Sequence, residues 1–300
     1  MIIRIVMYCI LSLLIISCGK QTHTEPVYTQ AKKLSDKDTQ YANQPCQNEA
    51  MHIMDKQFDL QQITNRHDKQ KIKDAIRQGI AFLYCTFGQP IVEQKVVIEL
   101  NTKRPNLIAL MQWKLKSIER KIIINPKEMD RKSVFDRTIV HELFHALYQS
   151  NNFFINNRDF ITEGMAAYAE NSFRFFDNDT AALDYLGDRV VAISRATKTC
   201  FNLDAKLNTS DMNKDFDEHE RNQVDAMYAL SAYYWFALKA DINVNEKIYY
   251  ILNLYKGNKI KHVLESKNSL TLYQFQKWYG IHYDFSKHSP YGSKRPEWCL

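Results

Sequence analysis

The stretch Arg131-Lys132-Ser133-Val134-Phe135-Asp136-Arg137-Thr138-Ile139-Val140-His141-Glu142-Leu143-Phe144-His145-Ala146-Leu147-Tyr148-Gln149-Ser150 decides how the rest of the chain is read. Val134, Ile139, Val140, Leu143, Phe144 and Leu147 recur at helical steps, so the spacing predicts a helix over 131–150. His141 and His145 stand four residues apart, about one turn, and both imidazoles leave the same face. Two ring nitrogens so placed can ligate one metal ion. Glu142, beside them, is placed to act as general base toward a water held there.

Downstream, Glu163 follows His145 by eighteen positions (163 − 145) and opens Glu163-Gly164-Met165-Ala166-Ala167-Tyr168-Ala169-Glu170, at the start of a helix expected over 162–173. A carboxylate there supplies a third ligand. The pairing of HExxH with a downstream EGxAxYxE resembles the gluzincin zinc metallopeptidases, most of all the aminopeptidase N type and more loosely the bacterial collagenase and thermolysin types. The likeness is close over 136–170 and holds only in outline beyond. It implies that His141, His145 and Glu163 bind Zn²⁺, that Glu142 is the general base, and that a peptide or protein substrate is hydrolysed. It also implies an oxyanion donor from the C-terminal lobe. Tyr228, in Asp225-Ala226-Met227-Tyr228-Ala229-Leu230-Ser231, resembles the Y-x-K-G segment of those enzymes without its lysine; His219, read as lying in the polar loop before that helix, is the rival. No GxMEN-like segment that would grip a free amino terminus precedes the motif, so an endopeptidase is expected more than an aminopeptidase. Two other readings compete: a non-catalytic binding or assembly protein on a peptidase-like scaffold, and a zinc hydrolase of a non-peptide amide.

Several neighbours of the motif have both a functional and a structural reading. Glu170 lies seven residues after Glu163 on the same helix face and either orients a ligand or is solvated. Tyr168 and the run Tyr233-Tyr234-Trp235-Phe236 suit a core better than a pocket.

Upstream, an amphipathic helix is expected over 67–87, followed by strands over 95–100, 107–113 and 118–124 that form one sheet. The last strand fits either the sheet edge, where an extended peptide would pair, or an interior position. Past the motif, helices are expected over 181–200, 222–240, 245–256 and 270–279. The order gives an α+β fold: a zincin-like catalytic lobe over 46–175, with a small sheet and the HExxH helix, then a helical C-terminal lobe over 176–300.

The N-terminus places this domain outside the cytoplasm. Ile2 to Ile16 is almost wholly apolar apart from Arg4 and runs into Ser17-Cys18, the pattern of a lipoprotein signal peptide over 1–17 with Cys18 as the lipidated first mature residue. Residues 18–45 read as a polar tether, and the membrane is met through the lipid. The expected location is the periplasmic side of the outer membrane or the cell surface. In an oxidising compartment Cys46, Cys85, Cys200 and Cys299 tend to pair, with three connectivities open; Cys46 with Cys85 and Cys200 with Cys299 is the pairing preferred here. The 300 residues are 45% hydrophobic and 25% charged, which excludes global disorder. The net charge of +6 is spread along the chain without a basic arm, so nucleic acid is not expected as a partner.

Overall fold

The computed structural model describes residues 45–101, 108–112, 119–156, 159–176, 178–203, 218–256, 271–284, 288–292 and 297–299. The leader at 1–17, Cys18 and the tether up to residue 44 lie outside the described residues. In chain order the elements are α1 (Pro45–Gln57), β1 (Phe58–Asp59), α2 (Arg66–Phe87), β2 (Lys95–Leu100), β3 (Ala109–Gln112), β4 (Glu119–Ile124), α3 (Lys132–Tyr148), α4 (Asn151–Asn156), α5 (Asp159–Phe175), α6 (Asp179–Thr197), α7 (Glu218–Leu238), α8 (Val244–Lys256) and α9 (Leu272–Tyr279). Helices predominate around one small sheet, as an α+β class requires. Three of these elements, α1, β1 and α4, are too short or too weakly periodic to stand out in the sequence.

The sheet runs in the order β1-β2-β4-β3, with β1, β2 and β4 parallel and β3 antiparallel to β4. The strand at 118–124 is therefore interior. Its Ile122-Ile123-Ile124 run is buried, as expected of a strand with a neighbour on each side. The edge is β3, whose Met111 pairs with Ile122, and among the described residues no strand covers its outer side. This edge faces α3.

Every residue of α3 from Ile139 to Tyr148 is buried, the polar ones included. A helix enclosed on all sides must be approached closely by its neighbours, and glycine permits that. At Gly79 on α2 an added Cβ would lie 2.6 Å from Leu143 Cδ1; at Gly164 on α5 it would lie 2.7 Å from Ser231 Cβ on α7. Helix α5 is thus held between α3 and α7, one residue past Glu163. The disulfides Cys46–Cys85 and Cys200–Cys299 both form, with Cα atoms 5.6 and 5.2 Å apart, the pairing preferred from sequence. The first ties α1 to the end of α2, and the second fastens the chain end behind α6.

The two glycines differ in what they would strike. Leu143 Cδ1 ends a flexible side chain, whereas Ser231 Cβ is fixed to its backbone. Gly164→Ala is expected to lower stability, because overpacking of about 1–3 kcal/mol exceeds the ~1 kcal/mol that alanine gains over glycine in a helix. Ser231→Gly in the same chain removes the obstructing Cβ and should recover most of the loss. Urea unfolding of the single and double variants checks this; a Gly164→Ala protein at least as stable as wild type would contradict the close crossing.

Candidate metal centre

Helix α3 carries His141, Glu142 and His145 on its buried middle turns, and α5 brings Glu163 against them. Helix α5 starts at Asp159, earlier than the sequence pattern suggests, so Glu163 stands one turn inside the helix and not at its start. His141 Nε2 and His145 Nε2 are 3.0 Å apart, and each lies 3.1 Å from Glu163 Oε2. This buried His-His-Glu group is a set of donor atoms that can hold a metal ion.

The outer ring nitrogens determine which atoms point inward. His145 Nδ1 is 2.6 Å from Gln149 Oε1, and the Gln149 amide nitrogen donates to the Thr162 carbonyl at 2.7 Å, which fixes the amide's orientation. Nδ1 of His145 is therefore the protonated nitrogen, and Nε2 presents a lone pair. His141 Nδ1 is 3.2 Å from Glu170 Oε2, a charge contact not aligned as a full hydrogen bond, and Glu170 in turn lies 3.5 Å from Arg137 Nε. Glu170 thus sits behind a ligand-bearing ring and is not merely solvated. Two imidazole nitrogens and a carboxylate oxygen facing one another in a buried space repel unless a proton or a metal ion lies between them. Ligand atoms bound about 2.0–2.1 Å from a tetrahedral metal stand roughly 3.3 Å apart, close to the spacing here. The residues fit a metal.

Electrostatics point the same way. Burial alone would depress the His141 imidazole, but the adjacent Glu163 and Glu170 carboxylates, with Glu142, raise it well above its ordinary value. Burial would raise Glu163, yet the charge of His145 and the hydrogen bonds of both histidines hold it well below the usual carboxylate range. Glu142 moves the other way: burial raises it, against the opposing charges of His141 and His145. Its Oε2 accepts the Met111 amide of the edge strand at 2.6 Å.

Tyr228 is brought alongside the centre, its ring stacked on His141 with centroids 5.7 Å apart and planes at 17°. His219 falls within the first turn of α7, not in a preceding loop, and its side chain lies outside what is described. Tyr168, Tyr234, Trp235 and Phe236 are core residues; the Tyr168 hydroxyl donates to Asn245 Oδ1 at 2.8 Å.

Two residues that the sequence pattern passes over support the centre. Gln149 is one, and its signal was present: it stands four residues after His145 on the same face. Arg120 is the other, a fully buried arginine in a strand of isoleucines. Its guanidinium donates to the His145 and Ala146 carbonyls at 2.7 and 3.0 Å, to Gln94 Oε1 at 2.7 Å and to Asn151 Oδ1 at 2.9 Å. These carbonyls lie in the last turn of α3, where no intrahelical partner exists, so the cation caps the negative end of the helix. Burial pulls Arg120 down to about 10, still charged at neutral pH.

A proton or a metal ion can occupy the space among the three ligands, and the two compete. With its pKa raised, His141 is protonated at pH 7 in the metal-free protein and must be neutral to ligate. Glu163, depressed, is already ionised and has no proton to lose. Binding of Zn²⁺, used as a probe, is therefore expected to release about one proton at pH 7, falling towards none as the pH rises through the His141 value. By the same sign the His141–carboxylate pairing stabilises the metal-free protein below that value and is lost above it. Titration calorimetry in buffers of different ionisation enthalpy measures the count; a binding heat independent of buffer at pH 7 would contradict the raised His141. No protein-family model matches the chain, and no curated protein or solved structure matches it.

Proposed function

We propose that the protein is a zinc-dependent peptidase of gluzincin type, more suited to internal peptide bonds than to free amino termini, exported and anchored by lipid at Cys18. The observation that carries this reading is the buried convergence of His141 Nε2, His145 Nε2 and Glu163 Oε2 beside a carboxylate, Glu142, that is not itself among the ligands. Mixed nitrogen and oxygen donors of this kind suit zinc. Lying on an exported chain, the two disulfides are consistent with an oxidising compartment. Among the described residues no helix is long and apolar enough to cross a membrane, and the lipid is the proposed anchor.

When bound, zinc supplies Lewis acidity to a peptide carbonyl and lowers the pKa of water beside it. The remaining steps belong to residues of the chain. Glu142 Oε2 is held by the Met111 amide, which leaves Oε1 to take a proton from the attacking water as the new C–O bond forms. Glu142, buried beside the site, then delivers that proton to the amine nitrogen as the C–N bond breaks. An extended substrate laid along the strand-free side of β3 would pair with those backbone groups of the edge that Glu142 leaves unoccupied. Tyr228, against His141, is the proposed donor to the oxyanion.

Three substitutions separate holding the metal from using it. Glu142→Gln is expected to retain full zinc and lose at least a hundredfold in kcat on a cleavable peptide. His141→Ala and Glu163→Ala are expected to lose zinc itself. Zinc content by atomic emission and peptide cleavage by mass spectrometry make the comparison. A zinc-loaded wild type inert toward a diverse peptide library would reject the peptidase reading, and full zinc in Glu163→Ala would reject Glu163 as ligand.

A further inference from the structure

Helices α3 and α5 carry the ligands, and at Gln149 a single side chain spans the two. The chain leaves α3 at this residue, with φ −99° and ψ 112°, yet the side chain stays fully buried. Both ends of its amide are used: Oε1 lies 2.6 Å from His145 Nδ1, and Nε2 donates to the Thr162 carbonyl at 2.7 Å. That carbonyl belongs to the peptide group linking Thr162 to Glu163. One amide therefore touches the ring of one ligand and the backbone that carries another.

The two imidazoles are backed differently. His141 Nδ1 faces the Glu170 carboxylate at 3.2 Å, whereas His145 Nδ1 meets a neutral carbonyl. A carboxylate behind a ring adds donor strength, and a neutral amide adds direction without charge. An amide oxygen does not take up a proton near neutral pH, so the Nδ1 proton stays on the ring and Nε2 keeps its ligating side. Direction matters because His145 Nε2 stands 3.1 Å from Glu163 Oε2, and a small turn of the ring or shift of α5 opens that distance. Gln149 restrains both movements. Reach matters too: an asparagine here would be a methylene too short to hold both partners at these distances.

From this bridge we infer that Gln149 is a positioning residue of the metal centre, setting the separation of His145 Nε2 from Glu163 Oε2 through both of its amide contacts. The inference rests on the His-His-Glu group as a metal site and not on the bond that is cleaved. An apolar residue of equal length removes the acceptor from the His145 ring and the donor from the Thr162 carbonyl together. The ring then loses what selects its tautomer, and α3 and α5 lose a tie beside two ligands.

The test uses the full chain and Zn²⁺ alone, with affinity read by competition against a chromophoric chelator. Gln149→Met is expected to weaken zinc binding by roughly 10- to 100-fold in Kd. Gln149→Asn, which keeps the amide and loses the reach, should also weaken it. Tyr279→Phe is the control for stability: it breaks the buried 2.9 Å bond between the Tyr279 and Tyr255 hydroxyls and should lower Tm with zinc Kd unchanged. Nitrogen-15 NMR of the zinc-loaded proteins supplies a readout that packing alone does not move. The His145 Nδ1 proton should exchange slowly with water in wild type and Tyr279→Phe, and be lost to exchange in Gln149→Met. An unchanged Kd in Gln149→Met or Gln149→Asn, or an equal loss in Tyr279→Phe, overturns the positioning role and leaves the metal site standing. A wild type that takes up no zinc removes the site and this role with it.

Discussion

Three potential ligand atoms within 3.1 Å of one another, in a buried space, are the constraint around which this protein is built. Packing alone cannot hold such an arrangement, because imidazole nitrogens and a carboxylate repel across a medium that screens poorly unless a proton or a metal ion stands between them. A cation relieves the repulsion, and the chain spends much of its interior keeping the three atoms where a cation would find them. Burial of this kind is costly for a structural ion pair and is more readily understood when the pair is completed by a ligand. The opposite pKa displacements of Glu163 and Glu142, two carboxylates on adjoining helices, reflect one field: the carboxylate that meets both histidines is held ionised, and the one that does not is pushed toward the neutral form.

Support is layered outward from that point. Gln149 joins the two ligand-bearing helices, since one end of its amide meets His145 and the other meets the carbonyl just before Glu163. Glu170 fixes the second imidazole and connects it to Arg137 and the cavity beyond. Arg120 answers the buried carbonyls in the last turn of α3, and the amide of Met111 reaches from the sheet edge to Glu142. Gly79 and Gly164 let the neighbouring helices come near enough for those bonds to form. The centre is therefore tied to the sheet, to α5 and to α7 at once, and a change in any of them is transmitted to ligand geometry.

How much of this the sequence disclosed depended on whether a residue's role is local or distant. The His-His-Glu group that could hold a metal was legible because His141 and His145 are one helical turn apart and Glu163 opens a distinctive run on the next helix. The long amphipathic helix at 66–87 and the strands were legible from period alone. Sheet order was not: nothing in the run Glu119 to Ile124 says whether a fourth strand lies beyond it, and the edge proved to be β3. Arg120 escaped notice because its partners are helix-end carbonyls, which have no sequence signature. Gln149 is a local exception, spaced one turn from His145 yet uncharged and so unremarked. The cavity lined by Arg137, Glu170, Tyr185 and Arg189 draws on separate helices, and only their packing brings these residues together.

The most direct test of the account is X-ray absorption at the zinc edge of the full chain loaded with one equivalent of Zn²⁺, compared with Glu163→Ala. The account predicts two imidazole nitrogens and one carboxylate oxygen at about 2.0–2.2 Å with an additional light-atom ligand, and loss of the carboxylate in the variant. A spectrum showing sulfur ligation, or one unchanged by Glu163→Ala, would contradict it.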